Sequence, residues 1–147
     1  HCSGLQSLYL VSCGQITDVS IISISTHCTG LQSLNLESCR QITDVSIISI
    51  SIYCTGLQSL NLSSCDQISD ASIISISENY TGLEELYVSF TSITDASLIA
   101  IAKNCTGLQL LRTFGCDGLS SYKLRHRFKS VSELRAELMS IYPSLHT

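Results

Sequence analysis

The sequence predicts an α/β solenoid of about five strand–helix units closed by a helical C-terminal cap. Three observations predict it. Leucines recur every 26 residues, as Leu5, Leu31, Leu57 and Leu83, as Leu8, Leu34, Leu60 and Leu86, and as Leu10, Leu36 and Leu62 with Val88 in the fourth place. Each unit divides into a half that alternates with period two and a half with helical spacing. Thr-Gly pairs at 29–30, 55–56, 81–82 and 106–107 stand at the joins. A fixed period of this length marks units that bury their apolar faces by stacking on one another.

The strand half is clearest in Leu31-Gln-Ser-Leu-Asn-Leu36, which alternates around Leu34 and Leu36. The helical half runs from Asp44 to Tyr53, with Asp44 expected as an N-cap accepting backbone N–H groups. Ile47, Ile50 and the small Ser51 then face inward, with Cys54 one turn later. Intrinsic propensity is poor, because Ile is β-branched and Ser competes for backbone bonds, so packing must hold these helices. The Thr-Gly pairs turn the chain into the next strand. Ile16, Ile42 and Ile68 repeat as well, each with an acid two residues on, at Asp18, Asp44 and Asp70. One residue is deleted near Phe90, after which Ile93 and Asp95 resume the pattern; a fifth unit starts at Cys105 with Leu108 and Leu111. The first three units are nearly identical, as after internal duplication.

Beyond Cys116 the repeat breaks. Ser130-Val-Ser-Glu133 carries a capping-box pattern, Val131, Leu134, Leu138 and Ile141 follow at helical spacing, and Pro143 stops the helix. The segment 117–147 is expected to be an extended last helical half that covers the open end of the stack. Repeats thus occupy 1–119, and the extended last repeat with its capping helix 120–147.

Hydrophobic residues make up 44% of the 147, aromatics only 6%, and Trp is absent, so the core must be layered from Leu, Ile and Val. Charged residues are sparse at 14% and the net charge is −4, which argues against a general nucleic-acid binder. No apolar run approaches the roughly 18 residues of a membrane span. The chain begins at His1, in mid-repeat and without a signal peptide, so it reads as part of something longer.

The unit Cys28-Thr-Gly-Leu-Gln-Ser-Leu-Asn-Leu-Glu-Ser-Cys39-Arg-Gln-Ile-Thr-Asp44 resembles the cysteine-containing leucine-rich repeat of F-box and leucine-rich-repeat proteins. The similarity covers residues 1 to about 119. It departs from the family pattern at Ser20, Ser46, Ser72 and Ser97, where Gly is usual, and in having Thr where Pro usually follows the first Cys. The resemblance implies a horseshoe with a parallel sheet lining the concave side and helices outside. It also implies a protein-recognition module, and by analogy the substrate-recognition part of an F-box ubiquitin-ligase subunit.

Eight cysteines could suggest a disulfide framework. They fall instead into two columns, Cys13, Cys39, Cys65 and Cys116, and Cys2, Cys28, Cys54 and Cys105, with Tyr80 and the Phe90 region replacing two members. Neighbours in a column should lie roughly 5 Å apart, in a geometry that favours neither a disulfide nor a tetrahedral zinc site. They read as buried structural thiols, which favours the cytoplasm or nucleus. No His stands with a nucleophile, Glu84-Glu85 diverge on a strand, and no phosphate loop occurs. The expectation is therefore no enzyme, no metal and no cofactor.

The candidate site is the concave face, where residues flanking the buried leucines point outward. One column is Tyr9, Asn35, Asn61, Tyr87 and Arg112; its neighbour is Ser7, Ser33, Ser59, Glu85 and Leu110; a third holds Val11, Glu37, Ser63, Ser89 and Phe114. Tyr9, Tyr87, Arg112 and Phe114 are of types enriched at binding hot spots. The binding set is Tyr9, Asn35, Glu37, Asn61, Glu85, Tyr87, Arg112 and Phe114. A second stripe, Ile22, Ile48, Ile74 and Ile99, would be an apolar patch if exposed, but helix rotation is expected to bury it partly. Charge is asymmetric: residues 1–111 hold two cations against nine acids, and residues 112–147 six against three. Lys123, Arg125, Arg127 and Lys129 form a secondary basic patch that could meet an acidic partner or RNA, although such a run is more often a solvated face or cap. The expected partner is a protein, not nucleic acid or membrane. A homodimer through the uncapped N-terminal edge or the Ile stripe is the alternative.

Overall fold

The computed structural model describes residues 2, 4–80 and 82–145. His1, His146 and Thr81 of the third Thr-Gly pair lie outside the described residues. Four units each place a three-residue strand before a helix, and a fifth opens with a strand alone: β1 (Ser7–Tyr9), α1 (Asp18–His27), β2 (Ser33–Asn35), α2 (Asp44–Tyr53), β3 (Ser59–Asn61), α3 (Asp70–Asn79), β4 (Glu85–Tyr87), α4 (Asp95–Asn104) and β5 (Leu110–Arg112). A 3-10 turn at Tyr122–Leu124, strand β6 (Arg127–Phe128) and α5 (Val131–Ile141) follow. The sheet runs β1 to β6 in chain order. Strands β1 to β5 pair in parallel, in a register that aligns Leu8, Leu34, Leu60, Leu86 and Leu111. The solenoid expected from the repeat is the fold observed.

These strands are short because their side chains, not their length, hold them. Leu34, Leu36, Leu60, Leu62, Leu86 and Val88 point between sheet and helices and are buried, as are Ile47, Ile50, Ile73 and Ile76 from α2 and α3. At about 25 cal/mol per Å2 of apolar surface removed from water, this layer outweighs the weak helix propensity of the Ile-Ser stretches. The equivalent Leu5, Leu8 and Leu10 are only half-buried, since β1 is an edge strand. Small serines let the helices approach closely. Ser25 and Ser51 donate to carbonyls within their own helices and meet Ser49 and Ser75 of the next ones at 2.6 Å. Ile22, Ile48, Ile74 and Ile99 are half-buried between neighbouring helices, so no fully exposed stripe forms.

Two expectations need correction. Asp44 and its equivalents are not N-caps: Thr17, Thr43, Ser69 and Thr94 hold those positions, and each Asp is the first helical residue. The carboxylate reaches the next unit instead. Asp18 accepts from the Thr43 backbone N–H (2.9 Å) and hydroxyl (2.5 Å), Asp44 from Ser69 (2.9 and 2.5 Å), and Asp70 from Thr94 (2.8 and 2.5 Å). Asp95 continues the ladder to Ser120 and also accepts from the Tyr142 hydroxyl at 2.5 Å.

The second correction concerns 117–147, which is not simply a helical half. The chain doubles back so that β6 pairs antiparallel with β5, setting Phe128 against Leu111 and Arg127 against Arg112. The sheet is therefore parallel only as far as β5. Phe128 and Leu124 are fully buried under this return. Helix α5 then packs on α4, where Arg135 Nε donates to the Ala102 carbonyl at 2.7 Å. Its capping box closes in shifted form: Ser130 accepts from the Glu133 N–H, and Glu133 accepts from the N–H of Lys129 rather than that of Ser130.

Candidate functional site on the concave sheet face

Two columns fix the strands whose outer side chains form the face; they are buried only from Cys28 and Cys39 onward, because Cys2, expected to be buried, is exposed and Cys13 half-buried at the N-terminal edge. In the first, Cys39 Sγ donates to the Leu10 carbonyl (2.8 Å), Cys65 to Leu36 (3.0 Å) and Cys116 to Val88 (3.1 Å). In the second, Cys54 donates to Cys28 at 3.5 Å, and Tyr80, standing where a Cys is expected, spans the core to the Ile50 carbonyl. All eight cysteines are free thiols. Burial pushes Cys65 up to about 12 and Cys54 and Cys105 up to about 11, so these thiols stay protonated and unreactive at neutral pH. Among the described residues no three His, Cys, Asp or Glu side chains gather to hold a metal ion.

The outer columns fall where strand alternation puts them. Tyr9, Asn35, Asn61, Tyr87 and Arg112 stand in one register row, and Ser7, Ser33, Ser59, Glu85 and Leu110 in the next. The members differ in what they do. Asn35 and Asn61 accept the backbone N–H groups of Glu37 and Ser63, both at 2.9 Å, and so shape the strand exits. Asn61 also donates to Glu37 at 3.2 Å. Glu85 accepts from Ser59 (3.2 Å) and from the Tyr87 hydroxyl (3.3 Å). The Arg112 guanidinium lies over the Tyr87 ring, 5.4 Å from its centroid. Burial and then the Glu85 carboxylate push the Tyr87 hydroxyl above its ordinary range, while Arg112 and Arg127 pull it back. Leu110 is nearly covered, unlike its row-mates.

The face holds two adjoining clefts. The larger, about 490 Å3, is lined by Glu37, Asn61, Tyr87, Phe90, Arg112 and Phe114 among others. The second, about 310 Å3, shares Tyr87 and Asn61 with it and extends past Glu85 and Asn35 to Tyr9. All eight expected face residues thus line one continuous surface, with Tyr9 at its far end.

The basic segment, by contrast, is split. Arg125 is tied down, donating to the Leu119 carbonyl (2.9 Å) and pairing with Asp117 at 3.6 Å. Lys123 stands on the 3-10 turn. Arg127 joins the sheet face beside Arg112.

Phe90 escaped the sequence reading. It occupies the turn position held by Ser12, Ser38 and Ser64 in the earlier units and by Gly115 in the fifth, all with left-handed φ between 57° and 65°. A bulky residue there is a genuine backbone outlier. Its ring lies over Gly115, where a Cβ would fall 2.2 Å from the Phe90 ring, and yet 59% of Phe90 remains exposed. Thr91, not Phe90, fills the cysteine slot, with its hydroxyl 2.6 Å from the Val88 carbonyl. The available signal was a bulky residue aligned on a row of serines; the neighbouring deletion obscured that alignment.

Known proteins bear on this geometry. The family model for paired leucine-rich repeats matches residues 3–49, and a single leucine-rich-repeat model matches 53–77 and 81–102. No curated protein matches the sequence. Among solved structures, the chain resembles one in the crystal structure of the Rad7 and Elc1 complex in yeast, with a TM-score of 0.69, 21% identity and 79% of this chain covered. It spans only 29% of that longer chain. It also resembles actin-binding site 2 of leiomodin-1, with a TM-score of 0.60 and 18% identity over 94% of this chain and 80% of that one. Identities this low speak to the fold alone.

Proposed function

The chain belongs to the leucine-rich repeat family, and from that premise we propose that it is a non-enzymatic protein-recognition module that holds its partner on the concave sheet face. The observation that carries this reading is the larger cleft, in which Tyr87, Phe90, Arg112 and Phe114 converge around open space. Aromatic and Arg side chains in a recess are the groups that dominate protein–protein affinity. A rigid backbone frame keeps the ordering cost of binding low. The resemblance to F-box and leucine-rich-repeat proteins supports a narrower role, selecting substrates for a ubiquitin ligase. The free thiols, six of the eight buried, favour a cytoplasmic or nuclear setting. Among the described residues no helix is long and apolar enough to cross a membrane.

The test is affinity capture from reducing lysate with the wild-type domain and with a Tyr9→Ala, Tyr87→Ala, Arg112→Ala variant, followed by titration of the captured protein. The variant should bind at least tenfold more weakly while melting at the same temperature. Equal retention by both domains would remove the concave face from consideration.

A further inference from the structure

The face carries an arrangement that stability alone does not explain. Register places Arg112 directly opposite Arg127 across the β5–β6 pair, on the solvent side, while Leu111 and Phe128 point inward. Like charges opposite one another on paired strands repel. Neither guanidinium is relieved by a carboxylate, since the one ion pair among the described residues joins Arg125 to Asp117. The nearby acids are engaged elsewhere: Glu85 accepts from Ser59 and Tyr87, and Glu37 from Asn61. Only eight cations occur in a chain of net charge −4, six of them in residues 112–147, so Arg112 and Arg127 stand at the positive end of an otherwise acidic molecule. Arg112 is held in place by Tyr87 beneath it, and Phe90 and Phe114 supply an apolar wall of the same recess.

We infer that Arg112 and Arg127 form a two-guanidinium clamp for a carboxylate side chain on an acidic segment of a partner protein, with an adjacent apolar side chain of that segment seated against Phe90 and Phe114. This rests on the concave-face reading and specifies its chemistry. Guanidinium forks match carboxylate geometry, and their charges draw an acidic segment toward an otherwise acidic molecule. The bordering Glu37 and Glu85 favour a singly charged carboxylate over a doubly charged phosphate, which they would repel more strongly.

The experiment selects a random dodecapeptide phage library on the domain and measures the enriched peptides by calorimetry. The baits are the wild type, an Arg112→Glu, Arg127→Glu variant, and a Ser63→Trp variant that fills the cleft from its lining. Wild type should enrich peptides with Asp or Glu beside Leu, Phe or Tyr. Charge reversal should weaken them at least tenfold, and replacing the peptide's acid by Lys should restore binding to the reversed domain. Both variants replace side chains that reach solvent, so thermal melting should place them within a few degrees of wild type. Peptides blocked by Ser63→Trp but lacking acids would overturn the clamp and leave concave-face recognition standing. Peptides indifferent to both variants would overturn the two together. Tighter binding by a version with phosphoserine in place of the acid would also overturn the clamp, in favour of a phosphate site.

Discussion

The first three units and the C-terminal third of the molecule are built on the same frame and face solvent differently. From β1 to β3 the outward row reads Tyr9, Asn35, Asn61 and its neighbour Ser7, Ser33, Ser59; from β4 onward the rows read Tyr87, Arg112, Arg127 and Glu85, Leu110. Beneath them the changes are fewer (Val88 for Leu, Tyr80 and Thr91 in cysteine slots), and Leu34, Leu60, Leu86 and Leu111 are buried alike. Strand alternation separates the two demands: every second residue holds the stack, and the residues between can diverge without cost to it.

The comparison breaks most directly at the cap. If β6 is an integral sixth strand, Phe128→Ala removes a fully buried ring and should cost about 3–5 kcal/mol, read from urea unfolding. A loss below about 1 kcal/mol would mean that the repeats stand without β6, and that Arg127 is not held rigidly beside Arg112.

The aspartate ladder offers a smaller and pH-dependent test. Burial works to raise these carboxyls, but donated hydrogen bonds overrule it and hold Asp18, Asp70 and Asp95 below the usual carboxylate range. A depressed folded value means that the stabilisation is fully present above the unfolded value, near pH 4. It is then lost as pH falls through the lower folded values. Asp95 joins α4 to the cap through Ser120 and Tyr142, whereas Asp18 binds only at the N-terminal end. Asp95→Asn should therefore cost about 1–3 kcal/mol at neutral pH, more than Asp18→Asn. Its deficit relative to wild type should shrink as pH drops below about 4. A deficit independent of pH would show that the ladder acts through packing rather than charge.

What was legible in the sequence follows the same division. The buried positions are readable because 26-residue periodicity samples one environment several times, which identifies Leu34, Ile47 and Cys39 as interior. The role of Asp44 is not legible, because a Thr-Asp pair opening a helix reads alike whether the carboxylate caps its own helix or reaches the next unit; only the stack decides. Strand β6 was hidden because its two residues have no repeat partner, and Phe128 alone among basic neighbours carries no period. Of the face, the register rows were readable, while the pairing of Arg127 with Arg112 and the role of Phe90 needed the chain reversal and the turn geometry.

Phe90 gives the sharpest version of the comparison, with the smallest expected change in stability. At one turn position the first three units carry Ser, the fifth Gly, and only the fourth an aromatic. An L-residue in the left-handed region costs roughly 1–2 kcal/mol relative to the right-handed one, and glycine adds back about 0.5–1 kcal/mol of backbone entropy. Phe90→Gly should thus leave unfolding stability within about 1 kcal/mol of wild type while weakening partner binding at least tenfold. The reciprocal Ser64→Phe places the same strain in a unit that does not use it, so it should destabilise without adding affinity. A drop of 2 kcal/mol or more in Phe90→Gly would show that the ring serves as a lid on Gly115 and not as a contact for a partner. In that case the recess would be defined by Tyr87, Arg112 and Phe114 alone.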